Sequence, residues 1–168
     1  VRDKDALLTA CLIAETASWA KSNNKTLIDL LLDISFRFGL YREALVSVTK
    51  KGISGMKEIS DLMTKFRNNV PEFFANARLI GCIDYEIQVH KDLINNMKTQ
   101  IDLPKSNVIQ YLLADGSKIT MRPWGTEPKI KFYISVNAKI EKIEDYPAMV
   151  DKLDAYLEKM KKELAKFI

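Results

Sequence analysis

The eight residues Arg122-Pro123-Trp124-Gly125-Thr126-Glu127-Pro128-Lys129 bring together the donor types that a phosphate dianion recruits. Arg122 presents a planar fork that matches phosphate oxygens, and Lys129 adds a compact positive charge. Thr126 carries a hydroxyl, and the neighbouring backbone amides can form an anion-binding nest. Pro123 and Pro128 each fix a backbone angle, and Pro128 also holds Glu127 extended, so the segment has little conformational freedom to lose when an anion arrives. Gly125 allows backbone to come close to a ligand. Residue types alone leave a second reading open, a Pro- and Gly-bearing turn between strands flanked by solvated basic residues.

The other residues able to do chemistry are less organised. His90 is the only histidine and has no evident nucleophile or metal partner in the sequence. Asp84, Asp92 and Asp102 lack metal-ligand spacing, and no metal site is expected in the chain. Cys11 and Cys82 stand far apart, each in an apolar stretch, and are expected as two reduced core thiols.

The elements that must position the loop are strongly patterned. Val108 to Leu113 reads as a strand, Asp115-Gly116 as a hairpin turn, and Ser117 to Met121 as the returning strand. Lys129 to Val136 alternates, with Ile130, Phe132, Ile134 and Val136 on one face and Lys129, Lys131, Tyr133 and Ser135 on the other. Met56, Ile59, Leu62, Met63 and Phe66 form one face of a helix at 55–67. Tyr146, Met149, Val150, Leu153, Leu157, Met160, Leu164 and Phe167 form the stripe of a final helix. Ala44 to Thr49 reads as a strand, Ala77 to Val89 as β-rich, and Lys91 to Asn107, polar and containing Pro104, as an irregular connection.

The first forty residues are helical in pattern. Asp3 can cap a helix whose apolar residues Leu7, Leu8, Cys11, Leu12 and Ile13 occupy more than one face, which predicts burial. Thr26 and Asp29 have the spacing of a capping box, Leu27, Leu31, Ile34 and Phe38 make one stripe, and Gly39 offers a stop. The expected architecture is α+β: a mainly antiparallel sheet covered by two helices, preceded by a helical remnant of an α/β domain.

The run Leu103 to Ile134, LPKSNVIQYLLADGSKITMRPWGTEPKIKFYI, closely resembles the last domain of the α-D-phosphohexomutase family, which includes phosphoglucomutases and phosphomannomutases. There the equivalent loop reads Arg-Pro-Ser-Gly-Thr-Glu-Pro-Lys and holds the substrate's phosphate. The opening VRDKDALLTACLIAE and the stretch Gly52 to Tyr85 resemble the end of the family's third domain and the start of its fourth. The resemblance implies two parts, residues 1–42 as the C-terminal helices of the third domain and 43–168 as the C-terminal phosphate-binding domain.

Carried over, the resemblance places Arg122, Trp124, Gly125, Thr126 and Lys129 at the substrate phosphate. It places Arg2 along the active-site cleft and Lys4 in substrate binding or proton transfer. It implies a hexose phosphate substrate, phosphoryl transfer between C1 and C6, and Mg²⁺ in the full-length enzyme on ligands outside this chain. The family's phosphoserine, metal-binding and sugar-selecting loops have no counterpart here, so the chain alone is expected to be inactive, with the preceding domains of the same polypeptide as its partners. Trp124 departs from the pattern, where the family has Ser. An indole offers one N–H and no hydroxyl. Weaker phosphate binding, a ring turned outward with only its amide contributing, or a changed substrate all fit.

Composition is consistent with that class. Of 168 residues, 47% are hydrophobic and 29% charged, and a net charge of +4 from 26 basic and 22 acidic residues is too dispersed for a nucleic-acid partner. No apolar run reaches the ~18 residues of a membrane span and no signal peptide is evident, so no membrane partner and a cytoplasmic location are expected. The start at Val1 reads as a cut from something longer. A stand-alone phosphosugar-binding module without catalysis is the alternative reading.

Overall fold

The computed structural model describes residues 4–168, in two compact units. The first comprises the N-terminal segment to Leu40 together with Ala138–Met149, and the second Tyr41–Asn137 with Val150–Ile168.

In the first unit, α1 (Ala6–Ser22) begins at Asp5, whose carboxylate accepts from the Leu8 amide at 2.9 Å. Asp3, the expected cap, lies outside the described residues. A turn through Asn24 leads to α2 (Leu27–Phe38), which opens on the full capping box: the Asp29 carboxylate accepts from the Thr26 amide at 2.7 Å, and the Asp29 amide donates to the Thr26 hydroxyl at 3.2 Å. Gly39, at φ 99°, releases the chain. The expectation that α1 is well buried is overturned. Only Ala20 of α1 is buried, and Leu7, Leu8, Leu12, Ile13 and Trp19 are exposed, because apolar residues on more than one face need more than one packing layer.

The second unit is built on β1 (Leu40–Thr49), α3 (Gly52–Asn68), β2 (Phe73–Phe74), β3 (Ala77–Asp84), β4 (Val89–Asp92), β5 (Met97–Gln100), β6 (Ile109–Leu113), β7 (Lys118–Pro123), β8 (Lys129–Ala138) and α4 (Tyr146–Leu164). The strands form one eight-stranded sheet in the order β1-β8-β7-β6-β3-β4-β5, with β2 on β3. The β3–β4, β3–β6, β4–β5, β6–β7 and β7–β8 pairs are antiparallel, so the α+β reading with a mainly antiparallel sheet holds. The irregular connection expected from Lys91 to Asn107 is overturned in its first part, which is the β4–β5 hairpin, while 101–107 has no helix or strand.

Alternation sends Ile109, Tyr111, Leu113, Ile119, Met121, Ile130, Phe132, Ile134 and Val136 into the core. They meet Ile59, Leu62, Met63 and Phe66 of α3 and Leu153, Leu157, Met160 and Leu164 of α4. Phe66 sits edge-on to Phe132 at 5.8 Å and to Tyr111 at 6.3 Å, and the Tyr111 hydroxyl donates to the Phe66 carbonyl at 2.6 Å. Two further ties hold the unit: Arg42 of β1 grips Asp154 of α4 with two hydrogen bonds of 2.7 and 2.8 Å, and Arg67 of α3 reaches the buried Asp84 at 3.0 Å.

Candidate functional site

The expected phosphate loop closes the β7–β8 hairpin. Pro123 and Ile130 are the last cross-strand partners. Beyond them the Trp124 amide donates to the Lys129 carbonyl and the Lys129 amide to the Glu127 carbonyl, both at 2.7 Å. The Lys50 amide, just past β1, donates to the Pro128 carbonyl at 2.8 Å. The first turn of α3 is equally close, since a Cβ on Gly55 would lie 2.9 Å from the Pro128 Cβ. Two prolines, three hydrogen bonds and this close approach fix the loop at both ends.

Between those ends the amides of Gly125, Thr126 and Glu127 donate to no group among the described residues. Three successive unclaimed, exposed donors are what the backbone half of an anion site requires. A Cβ on Gly125 would meet nothing within 4 Å, so the space over the loop is open.

The side chains add charge. The β7–β8 register sets Arg122 directly opposite Lys131, and alternation puts Lys129 on the same face of β8 as Lys131. Arg122, Lys129 and Lys131 make no ion pair among the described residues. Like charges directly opposite on a sheet repel, and an anion between them removes that cost. Lys131 was not among the expected site residues. The signal for it was present in the hairpin arithmetic, since any register pairing Pro123 with Ile130 pairs Arg122 with Lys131.

Trp124 is 39% exposed, and the Lys131 ammonium stands 4.3 Å from its ring centroid. Of the roles left open for this residue, a contribution through its backbone amide is excluded in this geometry, because that amide is bonded to Lys129. The ring serves instead as a rest for Lys131.

The remaining expected residues lie elsewhere. Lys4 is exposed just before α1 in the first unit, and Arg2 lies outside the described residues. His90 packs its Nε2 against Gly81, where a Cβ would lie 2.9 Å away. Cys82 is a core thiol, pushed up to about 11 by burial, but Cys11 is exposed, which corrects the expectation of two buried thiols. No group of three His, Cys, Asp or Glu among the described residues could hold a metal. Asp84 is taken up by Arg67 and the Glu86 amide, and Asp92 by Ile94 and Asn95. The donors present therefore do not fit Mg²⁺. Among the described residues no helix is long and apolar enough to cross a membrane.

No family model matches the chain. The phosphoglucomutase of Staphylococcus haemolyticus (strain JCSC1435) is 41% identical over 137 residues, 82% of this chain and 25% of that protein. That of Staphylococcus aureus (strain MRSA252) is 39% identical over 157 residues, 94% of this chain and 27% of its own length. Among solved structures, the open form of the exocytosis-sensitive phosphoprotein pp63/parafusin (a phosphoglucomutase) from Paramecium aligns with a TM-score of 0.41 and 16% identity, over 84% of this chain and 23% of that one, a likeness too slight to build on. The chain spans about a quarter of the length of the curated relatives it matches. The resemblance to phosphohexomutases holds on this sequence likeness: the chain matches part of a phosphoglucomutase-family protein.

Proposed function

From its likeness to phosphoglucomutases along most of its length, we propose that this chain is the C-terminal, phosphate-gripping part of a hexose-phosphate mutase. Arg122, Thr126, Lys129 and the amides of residues 125–127 bind the sugar's phosphate, and Lys131 joins them. The observation that carries this reading is the row of three amides and three cations on one stiffened hairpin that find no hydrogen-bond acceptor or ion-pair partner among the described residues. Phosphoryl transfer depends on positioning and charge stabilisation, and the loop supplies both without making or breaking a bond itself. The reaction moves the phosphoryl group between C1 and C6 of a hexose. The phosphoserine, the Mg²⁺ ligands and the sugar-selecting loop belong to other domains of the same polypeptide, which also cover the apolar faces of α1 and α2. Lys4 takes part in substrate binding or proton transfer at the cleft those domains share. The full-length protein works in the cytoplasm, and the chain by itself has no turnover.

The test is a titration of the chain with glucose 6-phosphate followed by Trp124 fluorescence, in a Trp19→Phe background so that one indole reports. Arg122→Ala removes charge-assisted hydrogen bonds and should weaken binding about 10- to 100-fold. Trp124→Ser, read by amide chemical shifts, supplies a hydroxyl and releases Lys131, and should tighten binding severalfold. Equal affinity of Arg122→Ala and the unaltered chain would remove the phosphate reading. Conversion of glucose 1-phosphate by the chain without added protein would remove the claim that it is inactive alone.

A further inference from the structure

The outer face of the sheet holds a cavity that the phosphate loop does not share. Lys118 and Thr120 of β7, Tyr133 and Ser135 of β8, and Glu43 and Leu45 of β1 line a space of about 320 Å³. Register sets Lys118 opposite Ser135 and Thr120 opposite Tyr133, and no residue of 122–129 reaches the lining. Because β8 runs between β1 and β7, the strands that carry Glu43 and Lys118 stand about 10 Å apart. The carboxylate and the ammonium therefore rise from opposite walls.

The polar lining is unspent. Ser135 is 7% exposed, and its hydroxyl has no hydrogen-bond partner among the described residues. Every fully enclosed side-chain polar atom among those residues has a partner, so the Ser135 oxygen is open to solvent, and the cavity is the space it lines. The Thr120 hydroxyl accepts from the Gln110 side chain at 2.8 Å, which leaves its own proton to donate. Glu43 and Lys118 form no ion pair among the described residues, with each other or with any other group. Tyr133 and Leu45 add apolar surface.

This set selects a charge type. A simple anion would meet Glu43, a simple cation would meet Lys118, and a neutral ligand would leave both charges unanswered. A ligand with one charge of each sign answers both, and the hydroxyls between them complete its hydrogen bonds. The volume lies at the small end of ligand sites, which suits a molecule of a few heavy atoms with one apolar arm. We propose that this cavity binds a free α-amino acid with an apolar side chain. Lys118 and Ser135 take the carboxylate, Glu43 takes the ammonium, and the side chain lies against Tyr133 and Leu45. The site is separate from the phosphate loop, and its assignment does not depend on that reading.

Amide NMR of the 168-residue chain titrated with leucine tests it. Leucine should shift Thr120, Tyr133 and Ser135 and leave residues 125–127 still. N-acetylleucine lacks the ammonium and leucinamide the carboxylate, so each should bind about tenfold more weakly or worse. Glu43→Gln should lower leucine to the level of N-acetylleucine, and Lys118→Gln should lower it to that of leucinamide. Both positions are exposed, so the fold should survive either change. Still cavity amides at leucine's solubility limit, or equal binding of the three ligands, would overturn the proposal. So would a shift of the Lys118 ammonium in ligand-free Glu43→Gln, since the two charges would then be answering each other.

Discussion

The helices of the first unit and those of the second follow the same local rules and reach opposite ends. α2 has a complete capping box and a regular stripe, yet Ile28, Leu31, Ile34 and Phe38 are exposed, Phe38 at 67%. α3 has no side-chain cap at all, yet Ile59, Met63 and Phe66 are buried. Caps and periodicity decide that a helix forms, and only a facing layer decides what its apolar stripe is worth. In the second unit the sheet is that layer.

The widest gap between the units should be in the energetics of apolar truncation. Phe132 is 0% exposed and packs edge-on against Phe66, so Phe132→Ala should cost about 3–5 kcal/mol in denaturant unfolding followed by tyrosine signals of the second unit. Leu7→Ala, at a residue 84% exposed, should stay within about 0.5 kcal/mol. Comparable costs would mean that α1 is packed in solution.

Thiol labelling offers the next largest contrast. Burial raises the Cys82 thiol to about 11, so at pH 8 only about one part in a thousand is thiolate, and the sulfur is enclosed as well. Exposed Cys11 should react with a disulfide reagent about 100-fold faster or more, and the two rates should converge in denaturant. Native labelling of Cys82 at the rate of Cys11 would show the sheet opening freely.

What the sequence disclosed follows the same division. The hairpin at Asp115-Gly116 was legible because the turn requires a left-handed residue, and Gly116 sits at φ 83°. The α4 stripe and the Thr26–Asp29 box were legible because each is a local pattern. The β4–β5 hairpin was not. Its strands are short and polar, with β5 at the sheet edge, and they are held by backbone pairing; left-handed Asn96 makes its bend, and left-handed Gln88 the turn into β4, where glycine would have signalled them. The loop's residues were read from their types, but Lys131 needed the register. The exposure of α1 was illegible for a different reason, since an apolar pattern states a need for burial and does not state that the need is met.

A smaller effect probes the joint between sheet and helix. Tyr111 gives its proton to the Phe66 carbonyl from inside the core, and burial pushes its ionisation well above the usual range. Tyr111→Phe keeps the ring and strands the carbonyl, which should cost about 1–3 kcal/mol in the same unfolding assay. No loss would mean that water replaces the hydroxyl there.

The smallest effect is expected from acid, and it should cut across the comparison. Hydrogen bonds from the Thr26 backbone and side chain hold Asp29 below its ordinary 3.8, and those from Asn95 and Ile94 do the same for Asp92 in the β4–β5 turn. A carboxylate whose folded value is depressed adds stability above the unfolded value and loses it as pH falls through the folded one. Both sites should therefore be intact at pH 5 and loosen below about pH 4. Carbon chemical shifts of residues 26–30 and 92–96 should drift toward coil values together, while those of Phe132 and Met160 hold. Local caps of the two units would then be equally acid-sensitive, and only the second would have a core behind its cap. If acid instead melts residues 26–30 and the core in one transition, α2 is coupled to a packed layer, and the contrast between the units is smaller in solution than their surfaces suggest.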